Sequence, residues 1–253
     1  MILDDFGLDG RVAVVTGSST GLGQGMALGL AEAGADIVGV DYVESSETAK
    51  MISDLGRTYV EVTADLSTIE PIEGIVRTTL EKLGRLDIVV NNAGIIRRAD
   101  ATEFSEKDWD DVMNVNVKSI FFLAQAAGRH WIEEGKRGKI INTASLLSFQ
   151  GGIRVPSYTA SKSGVAGITR LLANEWASRG INVNAIAPGY MATNNTEALR
   201  NDPKRSAELL GRIPADRWGL PADLKGAAVF LASSASDYVN GHVLVVDGGW
   251  MGR

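Results

Sequence analysis

Short apolar runs alternate with helix-patterned stretches along the whole chain. The runs at 11–16 (RVAVVT), 36–40 with Asp41 at the tip, 59–63, 87–91, 139–143, 182–187 and 242–246 read as strands. A helical pattern passes through Met26, Leu28, Leu30 and Ala31 and stops at Gly34, and further helices are expected at about 44–55, 68–83, 108–132, 157–179 and 222–232. Regular strand–helix alternation predicts an α/β fold, a doubly wound parallel sheet of about seven strands with helices on both faces. No linker, repeat or low-complexity stretch divides the 253 residues, so one domain over 1–253 is expected. The longest irregular region runs from Pro188 to Pro221 and holds a helix at 196–210. Residues 189–217 are a candidate substrate lid.

The first strand runs straight into Thr16-Gly17-Ser18-Ser19-Thr20-Gly21-Leu22-Gly23 and then into a helix. Strand, glycine turn and helix together present backbone N–H groups and a helix N-terminus to a phosphate. Gly17, Ser19, Gly21, Leu22 and Gly23 are the candidate dinucleotide residues, in a G-x-x-x-G-x-G spacing that an ordinary glycine-rich loop could also show. Asp41, eighteen residues beyond Gly23, can accept hydrogen bonds from an adenosine ribose and would repel a 2′-phosphate. No arginine or lysine lies within 17–23 to attract one. Both facts point to NAD (NADH) rather than NADP, although a solvated strand-end aspartate would look the same.

Composition narrows the class. At 45% apolar and 22% charged residues the chain is an ordinary globular protein. There is no cysteine, and His130 and His242 stand far apart, so no disulfide and no protein-built metal centre is expected. The acidic start MILDDFGLDG carries no leader-like apolar core, and no run approaches the ~20 apolar residues of a membrane span. A net charge of −6 argues against nucleic acid as a partner. A cytoplasmic protein without membrane association is expected.

Tyr158 and Lys162 stand four apart, on one face of the 157–179 helix. An ammonium beside a phenol favours the phenolate, so the pair reads as a tuned proton donor and acceptor. Other distinctive groups fall at strand ends, where open α/β sheets bind ligands. Asp65-Leu66 follows the third strand, Asn91-Asn92-Ala93-Gly94 closes the fourth, Ser145 follows the fifth, and Pro188-Gly189 with Thr193 follows the sixth. Asn116 lies in the helix after the fourth. Singly they could be a turn, a cap, a buried amide and a chain reversal.

In this order and combination, through the terminal Val246-Asp247-Gly248-Gly249, the chain resembles the short-chain dehydrogenase/reductase family over essentially its full length. The resemblance implies a Rossmann fold and a catalytic tetrad of Asn116, Ser145, Tyr158 and Lys162. Tyr158 would be the general acid/base, and Ser145 would bond the reacting oxygen. Lys162 would lower the tyrosine pKa and hold the nicotinamide ribose, and Asn116 would hold a water leading from Lys162 to solvent. It also implies Gly17, Gly21 and Gly23 at the pyrophosphate, Asp65 and Leu66 at the adenine, Asn91, Ala93 and Gly94 along the cofactor wall, and Pro188, Gly189 and Thr193 at the nicotinamide. A homotetramer is implied as well, and the small residues of the 157–179 helix would suit close packing.

The segments IIRRADATEFSEKDWDDVMNVNVKS, SLLSFQGGIRVPSYTASKSG and INVNAIAPGYMATNNTEALR are similar to sugar-acid dehydrogenases of that family. They imply a ketone–alcohol interconversion on a small sugar acid. Its carboxylate would need a cation, and arginine offers a bidentate fork. Arg98 and Arg154 are the chosen candidates, because Arg97 and Arg98 should point different ways; surface pairing with Asp100 or Glu103 is the plainer reading. Gln150 and Met191 could add contacts. The competing readings are a reductase of 5-ketogluconate or of 3-oxoacyl thioesters, and a cofactor-sensing binding protein without chemistry. The filled tetrad speaks against the last.

Overall fold

The computed structural model describes residues 1–253. Seven strands, β1 (Val12–Thr16), β2 (Asp36–Asp41), β3 (Tyr59–Thr63), β4 (Ile88–Asn91), β5 (Gly138–Thr143), β6 (Ile181–Pro188) and β7 (Val243–Val246), form one sheet in the order β3-β2-β1-β4-β5-β6-β7. Every pairing is parallel. The helices are α1 (Gly21–Glu32), α2 (Ser46–Asp54), α3 (Ile72–Leu83), α4 (Glu106–Met113), α5 (Ser119–Glu133), α6 (Pro156–Trp176), α7 (Glu197–Asn201), α8 (Pro203–Leu210) and α9 (Lys225–Ala232).

Strand alternation splits the core in two. Val12 and Val14 of β1 pack with Ile75 of α3, Trp131 of α5 and Leu172 of α6. Ala13 and Val15 face the other way, onto Met26 and Leu30 of α1, Ile52 of α2 and Leu231 of α9. The two clusters hold 21 and 20 buried residues, so both faces of the sheet are covered equally. Runs with no polar alternation, such as the fully buried β1, are what that burial requires. The strand order reverses between β1 and β4, and the crevice at their carboxyl ends is where such sheets take ligands.

Two elements depart from the sequence expectation. The helix expected at 108–132 is interrupted by a π-helical turn, Asn114–Lys118, between α4 and α5. Such turns mark functional positions, and this one carries the buried Asn116. The helix expected at 196–210 is two helices. Pro203 starts α8, and the Asp202 carboxylate caps it by accepting from Lys204 N at 3.0 Å and Arg205 N at 3.1 Å. A proline without an N–H cannot continue α7, so the chain re-enters helix after a bend.

Candidate active site

The glycine turn is built for close backbone approach. Gly17 and Gly21 have φ of 67° and 60°, left-handed values that favour glycine. A Cβ on Gly23 would collide with Gly17 O, and one on Gly17 would stand 2.8 Å from Asn92 Nδ2. The turn is braced from β4: Asn92 Nδ2 donates to Thr16 O at 3.0 Å and Gly17 O at 3.2 Å. Asn92 N and Ala93 N both donate to Thr16 Oγ1 at 2.9 Å. Asp41 closes the other side, accepting from Ser19 N at 2.9 Å. The first turn of α1 leaves its backbone N–H groups pointing into this cradle. These residues fit the diphosphate and ribose of a dinucleotide: glycines without side chains, a helix N-terminus for negative charge, and a carboxylate for hydroxyls.

Around the cradle lie the other expected cofactor residues. Asp65, exposed, accepts from Ser67 N at 2.8 Å, and Leu66 is buried at the same sheet edge as Asp41. Gly189 N donates to Val246 O at 2.9 Å, and a Cβ there would meet Asp247 Cα at 2.6 Å, so Gly189 lets the end of β6 pass β7. Pro188 is the last residue of β6. Thr193 reaches back over the turn: its Cγ2 is 3.7 Å from where a Cβ on Gly21 would stand.

Tyr158 and Lys162 lie one turn apart on α6, with Lys162 Nζ 5.5 Å from the tyrosine ring centroid. Lys162 is 2% exposed, and burial drops its pKa to about 8. Its ammonium donates to Thr143 O at 2.6 Å. Burial pushes the Tyr158 hydroxyl above its ordinary value, while the Ser145 hydroxyl and the Arg98 charge pull it down. Burial wins. The groups opposing burial are Ser145 and Arg98. Ser145 N-caps the 3₁₀ turn Leu146–Ser148, its Oγ accepting from Leu147 N at 3.2 Å. That bond uses an acceptor lone pair and leaves the O–H free to donate. Such a pair can hold a carbonyl or hydroxyl oxygen between two proton donors.

Three loops converge above this pair. Arg98 leaves the β4 loop and donates through Nη2 to Asn195 O of the lid at 3.2 Å. Arg154, at φ 63°, pairs with Asp100 at 3.0 Å and is 60% exposed, the plain surface pairing. The lid is stitched at its base, where Met191 bridges to Gly219 and Ala192 N donates to Gly219 O at 2.7 Å. Arg217 grips Asp223 with both nitrogens, at 2.7 and 2.8 Å. Beneath it Tyr190 packs on Trp250 with ring centroids 4.6 Å apart and on Trp218 at 5.9 Å.

Residues 17–251 match the family described as Enoyl-(Acyl carrier protein) reductase. Over all 253 residues of both proteins, the chain is 67% identical to 2-dehydro-3-deoxy-D-gluconate 5-dehydrogenase of Escherichia coli strain K12. The chain belongs to the short-chain dehydrogenase/reductase family. It is an oxidoreductase acting on CH–OH groups. Among solved members, a provisionally named 2-deoxy-D-gluconate 3-dehydrogenase from Agrobacterium tumefaciens, with bound NADP, has 56% identity and a TM-score of 0.93, covering 99% of this chain and 100% of that one. A gluconate 5-dehydrogenase from Burkholderia cenocepacia J2315, in complex with NADP and tartrate, has 42% identity and a TM-score of 0.95, covering 100% of both. No helix is long and apolar enough to cross a membrane.

Some short-chain dehydrogenase positions are placed differently from the sequence expectation. The Asn91 side chain is buried and donates to Asn142 Oδ1 at 2.9 Å. Asn92, which the sequence reading left without a role, holds the turn instead. The Asn116 side chain fastens the loop after β4: its Oδ1 accepts from Ile95 N at 2.8 Å and its Nδ2 donates to Ile95 O at 2.9 Å and Ser161 Oγ at 3.2 Å. It clamps the wall next to Gly94, where a Cβ would stand 3.3 Å from its oxygen. Gln150 is turned toward the C-terminus, accepting from Trp250 Nε1 at 3.4 Å. Arg97 pairs with Asp108 at 3.4 Å and Asp111 at 3.7 Å, so it does point away from Arg98. Of the proposed carboxylate ligands, Arg98 alone is free of an acidic partner and electrostatically coupled to Tyr158.

Proposed function

We propose that this chain is an NAD(H)-dependent dehydrogenase of a small sugar acid, interconverting 2,5-diketo-3-deoxygluconate and 2-keto-3-deoxygluconate in hexuronate and pectin catabolism. The observation that carries the reading is the half-buried Tyr158, one helical turn from the buried Lys162, with the Ser145 hydroxyl and the Arg98 charge acting on its hydroxyl. The 67% identity to a 2-dehydro-3-deoxy-D-gluconate 5-dehydrogenase supports the substrate. The nicotinamide cofactor supplies or accepts the hydride. Tyr158 gives a proton to the carbonyl oxygen in reduction and takes it back in oxidation. Ser145 donates a hydrogen bond to the same oxygen and fixes its position. Arg98 binds the carboxylate. Lys162 holds the cofactor ribose, and Asn116 holds a water that links the lysine to solvent. Gly17, Gly21 and Gly23 seat the diphosphate, with Ser19 and Leu22 lining the turn. Asp65 and Leu66 hold the adenine, Ala93 and Gly94 the wall, and Pro188, Gly189 and Thr193 the nicotinamide end under the 189–217 lid.

NAD as the preferred cofactor rests on Asp41. Its carboxylate lies on the cradle and would repel a 2′-phosphate, whereas both solved relatives described above hold NADP. The second reading is a 5-ketogluconate reductase, favoured by the Burkholderia structure. A homotetramer is inferred from a small-residue stripe on the exposed face of α6, Ser163 and Gly167, ending at Leu171, 47% exposed. A cytoplasmic location follows from the NADH-linked role.

Absorbance at 340 nm separates these readings, using 2,5-diketo-3-deoxygluconate, 5-ketogluconate and a 3-oxoacyl thioester with NADH and NADPH. The highest kcat/KM is expected for the deoxy acid with NADH. A higher value for 5-ketogluconate would move the assignment to the second reading.

A further inference from the structure

Arg200 is a cation whose charge no contact in the chain explains. It lies on α7, in the lid. Of its five N–H donors, only Nη2 has a partner, Thr193 O at 3.1 Å. Its Nε is buried with no hydrogen-bond partner at all. No carboxylate stands within ion-pair distance, although Arg97, Arg154, Arg205 and Arg217 around the same loops each have one. A buried guanidinium donor aimed at nothing is an unusual expense in a native fold.

Its position suggests what it is for. Arg200 holds the carbonyl of Thr193, and the Thr193 methyl rests 3.7 Å from the Cβ position of Gly21, the first residue of α1. The lid arginine is thus one residue removed from the glycine cradle. The cradle itself contains no lysine or arginine between Gly17 and Gly23, and its one side-chain charge is the negative Asp41. A dinucleotide diphosphate brings two negative charges there, with only the α1 N-terminus to meet them.

We propose that Arg200 is the lid's clamp on the cofactor diphosphate, and that pairing with it closes residues 192–218 over the bound dinucleotide. This rests on the reading of the glycine turn as a dinucleotide site. Arginine suits the role because its planar fork can meet two phosphate oxygens while one nitrogen keeps the Thr193 carbonyl. The stitched base at Met191 and Gly219 gives the lid a fixed hinge, and Arg200 supplies the attraction on its moving side.

The test is NADH affinity of the full-length chain, measured by fluorescence titration at several salt concentrations, with sugar-acid KM at saturating NADH in parallel. Arg200→Gln should raise the NADH Kd at least about tenfold, the low end for a charge-assisted hydrogen bond. It should also flatten the salt dependence of that Kd and leave the sugar-acid KM within about twofold. Arg200→Lys, which keeps the charge, should recover part of the affinity and the salt slope. Unchanged NADH affinity in Arg200→Gln overturns the proposal. So does a raised sugar-acid KM with unchanged NADH affinity, which would assign Arg200 to the substrate carboxylate. A raised Kd with an unchanged salt slope and no recovery in Arg200→Lys makes the residue a structural brace and also overturns it. A wild-type chain that binds neither NADH nor NADPH overturns the parent reading and this one with it.

Discussion

The two ends of the sheet differ in how completely their cations are paired. At the amino ends of the strands, cations are matched with carboxylates. Asp87 accepts from Arg85 Nε and Nη2 at 2.7 and 2.6 Å, from Arg11 at 3.1 Å and from Val12 N at 2.9 Å. Asp237 takes Lys139 at 2.7 Å and Arg137 at 3.2 Å. Burial pushes the Asp87 carboxyl up, but Arg85, the Val12 N–H and Arg11 outweigh it and hold the group below the usual carboxylate range. At the carboxyl ends Arg97, Arg154 and Arg217 are paired as well, but Lys162, Arg98 and Arg200 meet only carbonyl oxygens, those of Thr143, Asn195 and Thr193. Carbonyl dipoles orient a cation without neutralising it. The back of the sheet is electrostatically finished, and the front keeps positive charge available for anions in a protein of net charge −6.

The sharpest way to break this contrast is to cross the two ends in one experiment. Tyr158→Phe should cut kcat by at least the ~10²–10⁴-fold of a lost general acid/base, with NADH binding and melting temperature nearly unchanged. Wild-type kcat in the purified variant would remove Tyr158 from the chemistry. Lys162→Met should impair both rate and cofactor binding.

Arg98→Met carries the next effect, in the pH profile. Arg98 is one of the two groups drawing the Tyr158 pKa down, so its loss should raise that pKa. Oxidation needs the phenolate and climbs with pH; reduction needs the phenol and falls. In Arg98→Met the rising limb of alcohol oxidation should therefore move to higher pH. An unmoved limb would show that the arginine charge does not reach the hydroxyl.

Asp87→Ala should do the reverse of Tyr158→Phe. It should cost about 1–3 kcal/mol, mainly through the stranded Val12 N–H, because Arg11 and Arg85 are half-exposed and screened. Because the folded carboxyl is held low, this stability is present above the unfolded pKa of about 4 and is lost as pH falls through the folded value. Urea unfolding at pH 7 and at pH 3 checks both statements, and kcat should stay at the wild-type value. The smallest effect is expected at Asp41. Asp41→Ala should narrow an NAD(H) preference chiefly through the KM for NAD(H), and equal kcat/KM for both cofactors in the wild type would show that the carboxylate does not face the ribose.

The sequence made the frame legible because it is written in local pattern. All seven strands lie within about a residue of their expected bounds, since buried parallel strands are unbroken apolar runs. The glycine turn was legible for the same reason: its φ values demand glycine. What escaped depended on contacts between distant segments. Nothing local distinguishes Asn91, turned into the sheet toward Asn142, from Asn92, turned onto the glycine turn 75 positions away. Nothing local shows why β2 carries Gly39: a Cβ there would collide with the Tyr59 hydroxyl, which crosses the strand to reach Ser18 Oγ at 3.2 Å. The Arg154–Asp100 pair, by contrast, is the plainer of the two readings the sequence offered for that arginine. The i, i+4 rule located Lys162 beside Tyr158 but said nothing of the desolvation that pushes the tyrosine hydroxyl above its ordinary value. The π turn at Asn116 was also out of reach, because apolar periodicity continues through it, whereas the break at Asp202 was written in Pro203, which cannot continue a helix.

The most direct test of the charge reserve at the carboxyl end is the ratio of kcat/KM for 2,5-diketo-3-deoxygluconate to that for its C1 carboxamide, measured with NADH in the wild type and in Arg98→Met. The loss of a charge-assisted hydrogen bond, ~1.5–3 kcal/mol, corresponds to about 10–150-fold. The wild type should favour the carboxylate by that factor, and the variant should bring the ratio close to one. A wild type that does not distinguish the two compounds, or a variant that distinguishes them as well as the wild type, would contradict the account.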